Sequence, residues 1–306
     1  MSISNQFVRG GMLCLLGAVL LFSFATARSQ GSLQNALEQF NGEAVQGYMQ
    51  PAADLFGANM NSGFYHSAQM SRWGFHLSLD IVGMAAMVGD DQRTFDAPTP
   101  PGFSPAKFKT ATIFGGKGTE ISNATIPSLK YKGSDGVLNT SAFPLATPQL
   151  TIGYVFGTEA IVRYVFIPKI GEEAVPESKL WGVGLRHSIS QYLPSVPVDL
   201  AVGVFYQSYN AGDLIDFKGY TIGVQASKSF SILTVYGGLS SESSTLKLHY
   251  TSTDPIVPGT VDVSLDGANK FRFTGGLSLS IGFAKIFADA NFGSVTCFSG
   301  GIGFGN

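Results

Sequence analysis

The chain has 306 residues, a formal net charge of −2 and only 13% charged residues, with 38 glycines and 24 phenylalanines. That charged share is about half the usual one for soluble domains, and the lack of a basic excess excludes the electrostatic footprint of a nucleic-acid binder. Mean hydropathy is +0.19, yet no stretch beyond residue 27 supplies the roughly 20 unbroken apolar residues of a spanning helix, so a helical membrane protein is excluded as well.

Residues 1–27 have the layout of an export signal. Arg9 gives the positive start, Met12–Phe24 the apolar run, and Ala25-Thr26-Ala27 the small-x-small cleavage pattern. A single membrane anchor is the competing reading, disfavoured because the run is short. Cys14 lies inside that run, so cleavage after Ala27 leaves Cys297 alone and no internal disulfide. Ser32–Gly57 then reads as helix in two pieces: Leu33, Leu37, Phe40 and Ala44 have helical spacing, with Ser32 as N-cap. Pro51 suits the first turn of the second piece and Gly57 its end.

Strand patterning begins at Trp73. Trp73, Phe75, Leu77, Leu79, Ile81 and Met87 share one parity; Gly74, His76, Ser78 and Asp80 share the other. Between Gly89 and Pro148 the prolines at 98, 100, 101, 105, 127, 144 and 148 break the signal. That stretch reads as a large external loop, with room for a further hairpin near Lys107–Phe114. Alternating segments then follow at 150–156, 160–166, 181–189, 198–206, 220–226 and 232–251, the last with a parity shift near Ser240–Ser244 that suggests a bulge or the strand leaving the membrane. The clearest segment is Lys270–Phe283: Phe271, Phe273, Leu277, Leu279, Ile281 and Phe283 alternate with Lys270, Arg272, Thr274 and small or hydroxylic residues. Segments at 286–292 and 298–304 close the chain. His187 alone breaks the rule, falling on the apolar parity between Leu185 and Ile189.

A strand with one greasy and one small, wet face, sustained over about 9–11 residues, separates lipid from a polar lumen. Trp73, Trp181, Tyr206 and Tyr220 at strand ends fit interfacial girdles. Backbone edges are not tolerated in lipid, so the sheet must close. The fold class expected is an all-β membrane protein: a closed antiparallel transmembrane β-barrel of about 10–12 strands. Its parts are a signal peptide at 1–27, a helical plug or mouth segment at 28–66 and the barrel at 67–306, with the loop 89–148 outside. A mobile leader is the alternative for the helical segment, and a soluble barrel core the alternative for the aromatics.

Leu150–Phe166, LTIGYVFGTEAIVRYVF, and Ser188–Pro197, SISQYLPSVP, resemble segments of the long-chain fatty-acid transporter superfamily of outer-membrane barrels. The order of helix, NSGFYHSA (Asn61–Ala68), long loop, GYVFGTE and glycine-rich last strand resembles, more closely, a group of outer-membrane barrels with no assigned function. The resemblance implies a bacterial outer-membrane location, contact with outer-membrane lipids and lipopolysaccharide, and insertion by the barrel assembly machinery, with Phe304 nearest to the terminal aromatic it reads. In the fatty-acid transporters an N-terminal plug blocks the lumen and hydrophobic ligands leave through a gap in the wall; this chain is shorter, with fewer strands.

Chemistry is sparse. His76, Ser78 and Asp80 share one strand face, a spacing that resembles the His/Ser pair of outer-membrane lipid hydrolases, but parity turns them toward the lumen. Glu159, Arg163, Arg186, Lys270 and Arg272 also take lumen parity, where opposite charges brace the wall, pin a plug or orient a ligand carboxylate. Ile113–Glu120 lacks the spacing of a phosphate loop. No cofactor, metal site, catalytic residue or nucleic-acid partner is expected. The leading expectation is passage or binding of a small molecule, hydrophobic by the resemblance. The alternatives are a structural or adhesive barrel acting through its external loops, and a lipid-modifying enzyme using His76 and Ser78.

Overall fold

The computed structural model describes residue 37 and residues 42–169, 176–193, 195–252 and 259–305. The export signal and the start of the first predicted helical piece, residues 32–41 apart from Leu37, lie outside the described residues. Helix α1 (Gly42–Met60) precedes fifteen strands: β1 (Trp73–Met87), β2 (Thr94–Pro98), β3 (Lys107–Ala111), β4 (Glu120–Ser122), β5 (Lys130–Lys132), β6 (Ala142–Val155), β7 (Thr158–Ile167), β8 (Ser178–Ser188), β9 (Asp199–Ala211), β10 (Ile215–Phe230), β11 (Leu233–Ser252), β12 (Gly259–Asp266), β13 (Phe271–Ile281), β14 (Ala284–Phe292) and β15 (Cys297–Gly305).

Ten of them form a closed antiparallel ring in the order β1-β6-β7-β8-β9-β10-β11-β13-β14-β15, with β15 returning to β1. The lower end of the predicted strand range is therefore the observed one. The hairpin foreseen near Lys107 exists as β2–β3, but it forms its own small sheet outside the ring. No bulge lies near Ser240: the β10–β11 ladder is unbroken and even-numbered residues of β11 point inward on both sides of it, so only the apolar residues change face. β11 is longer than the wall: its first half pairs with β13 and its second half, from Thr245, with β12. The bend 267–270 separates those two partners.

Short turns at Phe156–Gly157, Ser231–Ile232 and Gly282–Phe283 lie at one end of the ring, the turn end; the segment 88–141 lies at the other, the loop end. Outward side chains are large and apolar, including Phe75, Leu79, Ile222, Val224, Leu277 and Phe304, all at least half-exposed or close to it. Soluble monomers rarely show a contiguous apolar patch beyond a few hundred Å², so this belt is the lipid face. Tyr206 packs at a tilt on Trp181, at 5.1 Å, and on Tyr220, at 4.9 Å, to form one girdle, and Trp73 packs on Phe156 at the turn end. On β10 the girdle positions are Tyr220 and Phe230. Ten residues at about 3.3 Å, tilted about 40°, give a band roughly 25 Å tall. His187 sits at the turn end, where its ring meets Thr158 Oγ1 at 2.8 Å and the Tyr192 hydroxyl at 3.1 Å. Interfacial depth with polar partners explains its parity.

Two expectations are corrected. Residues 142–148 belong to β6, not to the external loop, although they contain Pro144 and Pro148. Both prolines lie in the ladder to β1, opposite Ala85 and Ile81. The β6–β7 ladder, by contrast, stops at Gln149↔Arg163, next to Pro148. Residues four apart present their N–H to the same neighbour, so the missing donors face β7. The ladder ends at the level of Tyr164, which pairs with Trp181 of the outer girdle. Beyond that level β6 stays paired with β1 and β7 with β8, but β6 and β7 no longer pair with each other.

The second correction concerns the helix, which runs through Pro51 without a break and ends at Met60 rather than Gly57. An interior proline costs about 3 kcal/mol; here packing outweighs it. Val45, Tyr48, Met49, Ala53, Leu55, Ala58 and Met60 are buried, and the last turn is buried on every face. α1 lies inside the ring at the loop end, against β1, β6, β11, β12 and the β2 hairpin. Phe56 packs on Phe143, Tyr209 and Phe217, at 4.7–6.0 Å between ring centres. Asp54 ties the helix to the bend after β12 by accepting from Ala268 N–H at 2.9 Å, and its burial raises the carboxyl above the usual range.

Candidate functional site

From Met60 the chain turns at Gly63, whose φ of +69° lies in the left-handed region, and descends the lumen to Trp73. This descending strap carries the NSGFYHSA run (Asn61–Ala68). Its backbone has no sheet partner, so its polar groups must be satisfied by side chains. The wall provides them at several heights.

Arg272 of β13 makes a fork with Glu242, at 2.8 and 3.0 Å, and donates to Ala58 O at 2.8 Å. Gln207 donates to Met60 O. Arg163 of β7 donates to Ser62 O at 2.9 Å and Gly63 O at 2.7 Å, and its Nε reaches Gln149 at 2.9 Å. The same guanidinium lies 4.2 Å over the Phe64 ring. Lower still, Arg186 of β8 pairs with Glu159, donates to Gln225 at 2.8 Å and holds Ser67 O. α1 has no basic residue in its last turn. The wall arginines thus supply the positive charge that a helix C-terminus and its free carbonyls favour.

Wall glycines make room for the rings that meet the strap. A Cβ on Gly184 would fall 2.3 Å from the Phe205 ring, and one on Gly301 would fall 2.8 Å from Phe287. Phe205 lies flat against the wall there, and Phe64 stacks on it at 4.0 Å and 12°. His66 stacks in the same way on Phe287 at 3.3 Å and 15°. The small, wet strand face legible in the sequence is therefore a set of seats for inward aromatics.

Beneath the strap, at the turn end, an open cavity of about 280 Å³ is lined by Tyr65, His66, His76, Ser78, Arg186 and Lys285, among others. Lys285 Nζ is 3.0 Å from Asp80 Oδ1 and donates to Ser78 Oγ at 3.3 Å, while Ser78 donates to Asp80 at 2.8 Å. His66 Nε2 stands 3.9 Å from the other Asp80 oxygen. The hydroxyl proton of Ser78 is directed at Asp80 and its oxygen accepts from a lysine. These contacts brace the serine between Asp80 and Lys285.

Of the residues singled out by sequence, Ser78, Asp80, Glu159, Arg163, Arg186 and Arg272 are buried in the lumen and His76 is half-buried at the cavity. Lys270 stands apart, exposed in the bend before β13, where its carbonyl accepts from Glu242 N–H at 2.9 Å. Sequence reasoning missed Glu242, which lies at the parity shift of β11. It also missed Gln149, Gln207 and Gln225, whose amides read as ordinary wall residues, and His66 and Lys285, which meet at Asp80 and Phe287. Among the described residues no group of His, Cys, Asp and Glu has metal-site geometry.

These features define a transmembrane β-barrel whose lumen is occupied by its own N-terminal helix and strap. The chain belongs to the Family of unknown function (DUF6588), which it matches over residues 9–306. No curated protein matches. Solved structures similar to it include Ail, the attachment invasion locus protein of Yersinia pestis, at 10% identity and TM-score 0.30, covering 76% of this chain and 100% of Ail. Others are the Ralstonia pickettii toluene transporter TbuX, at 10% identity and TM-score 0.26, covering 83% of this chain and 97% of TbuX, and the translocator domain of the Neisseria meningitidis autotransporter NalP, at 13% and 0.27, covering 88% and 99%.

Proposed function

We propose that the protein is a gated barrel of the bacterial outer membrane that admits a small molecule to the periplasm when the strap is displaced. In this reading the turn end faces the periplasm, the apolar belt meets outer-membrane lipid and lipopolysaccharide, and the barrel assembly machinery inserts the chain. The observation that carries the proposal is the way the lumen is closed. The strap is held by side-chain hydrogen bonds from the wall to its carbonyls, contacts that a polar ligand or water can replace one by one. Below it lies an open polar cavity.

Liposome swelling with small neutral and charged solutes tests this with the intact chain and with one lacking residues 28–66. Slow flux from the first and fast flux from the second is the expected pair. No flux from either sinks the transport reading and favours a structural or adhesive barrel acting through 88–141.

A further inference from the structure

We propose that the cavity at the turn end is a binding site for a small hydrophilic anion of the carboxylate or phosphate type, with Lys285 as its principal contact. The proposal names the ligand class of the gated barrel; it rests on that reading for the ligand's route but not for its binding.

The buried ion pairs of the lumen differ in what they show to the cavity. In Arg186–Glu159 the side chains are 5% and 3% exposed, and in Arg272–Glu242 they are 3% and 1%. In Lys285–Asp80 the lysine is 23% exposed and the carboxylate 1%. Asp80 lies behind the lysine and does not line the cavity, whereas Lys285 does. An ammonium has three donors, and two of those of Lys285 go to Asp80 and Ser78. The third is left for a ligand. Glu159, the carboxylate that does line the cavity, is engaged by Arg186.

A second, independent observation is His66. It is 5% exposed, lines the same cavity, and neither ring nitrogen has a hydrogen-bond partner. A buried polar group without a partner is costly, and an anion bound at Lys285 gives the ring an acceptor or, through a protonated acid group, a donor. Hydroxyls of Ser78, Ser278, Ser280 and Thr151 complete a surface suited to a hydrated, oxygen-rich molecule more than to an alkyl chain.

The test is calorimetric titration of the folded full-length protein in a neutral detergent with succinate, inorganic phosphate and erythritol. Saturable, salt-weakened binding of succinate or phosphate and none of erythritol is expected; the preferred anion tells carboxylate from phosphate chemistry. Lys285→Arg should retain binding, and Lys285→Met should weaken it about tenfold or more, the usual scale for one charged hydrogen bond. Because Lys285→Met leaves Asp80 buried alone, the double variant Lys285→Met/Asp80→Asn repeats the measurement without that penalty. Equal affinity in the double variant, or no saturable binding of either anion by the folded wild type, overturns the site. Binding without liposome flux would remove the transport reading and leave the site standing; flux without binding does the reverse.

Discussion

Replacing Arg163 with alanine is expected to free the strap and turn a quiet barrel into a conducting one. Arg163 is 1% exposed and serves Ser62 O, Gly63 O, Gln149 and Gln207 at once. Hydrogen bonds to a charged group contribute about 1.5–3 kcal/mol each, and removing one side of a buried charged network leaves the rest unsatisfied. A loss of about 3–5 kcal/mol in strap docking follows, enough to populate the open form heavily. Arg163→Lys should fall between, since an ammonium keeps the charge but not the planar fork that spans two carbonyls. Planar-bilayer recording gives the readout, with heat-modified gel mobility confirming that the barrel has formed. A silent Arg163→Ala barrel would mean that α1 alone closes the lumen.

The second large effect concerns the wall. A Cβ on Gly301 would lie 1.9 Å from the Ile81 carbonyl oxygen and 2.8 Å from the Phe287 ring. Gly301 pairs with Val82 on one side and Phe287 on the other, at the seam where the last strand meets the first. The backbone cannot yield as a flexible side chain can, so Gly301→Ala should cost about 3 kcal/mol or more, at the top of the range for overpacking. Gly275→Ala, where the nearest atom is 3.8 Å away, should be near neutral. The midpoint of thermal unfolding, read by gel mobility, separates the two. Equal midpoints would show that the β1–β15 seam relaxes more freely than its geometry indicates.

The wall was legible in the sequence because alternation has a period of two and lipid accepts no polar side chain on the outer face. Phe271 through Phe283 show this in full. Where a second constraint entered, the pattern misled. Pro144 and Pro148 read as loop, but one side of β6 needs no donor once β7 has diverged from it. Pro51 reads as a helix start, but α1 packs its apolar residues into the core and tertiary packing overrides the local preference. Lys270 has lumen parity, but it stands in the bend where β12 gives way to β13. The candidate site was half visible. Parity turns Asp80, Arg163, Arg186 and Arg272 inward, but nothing local shows that the arginines bind carbonyls of 58–67. His66, Asp80 and Lys285 lie on separate segments and meet only when the ring closes around the strap.

The central claim is that a movable strap, fixed to the wall by replaceable contacts, controls the lumen. Ser62 Oγ on the strap lies 3.4 Å from the thiol of Cys297 on β15, so Ser62→Cys places two sulfurs within reach of a disulfide after small side-chain adjustments. Flux through this variant in liposomes, compared before and after oxidation and again after reduction, measures the claim directly. Flux that stops on oxidation and returns on reduction, with wild type unaffected by either treatment, is the predicted result. Unchanged flux with the cross-link shown by thiol titration to be complete would contradict it.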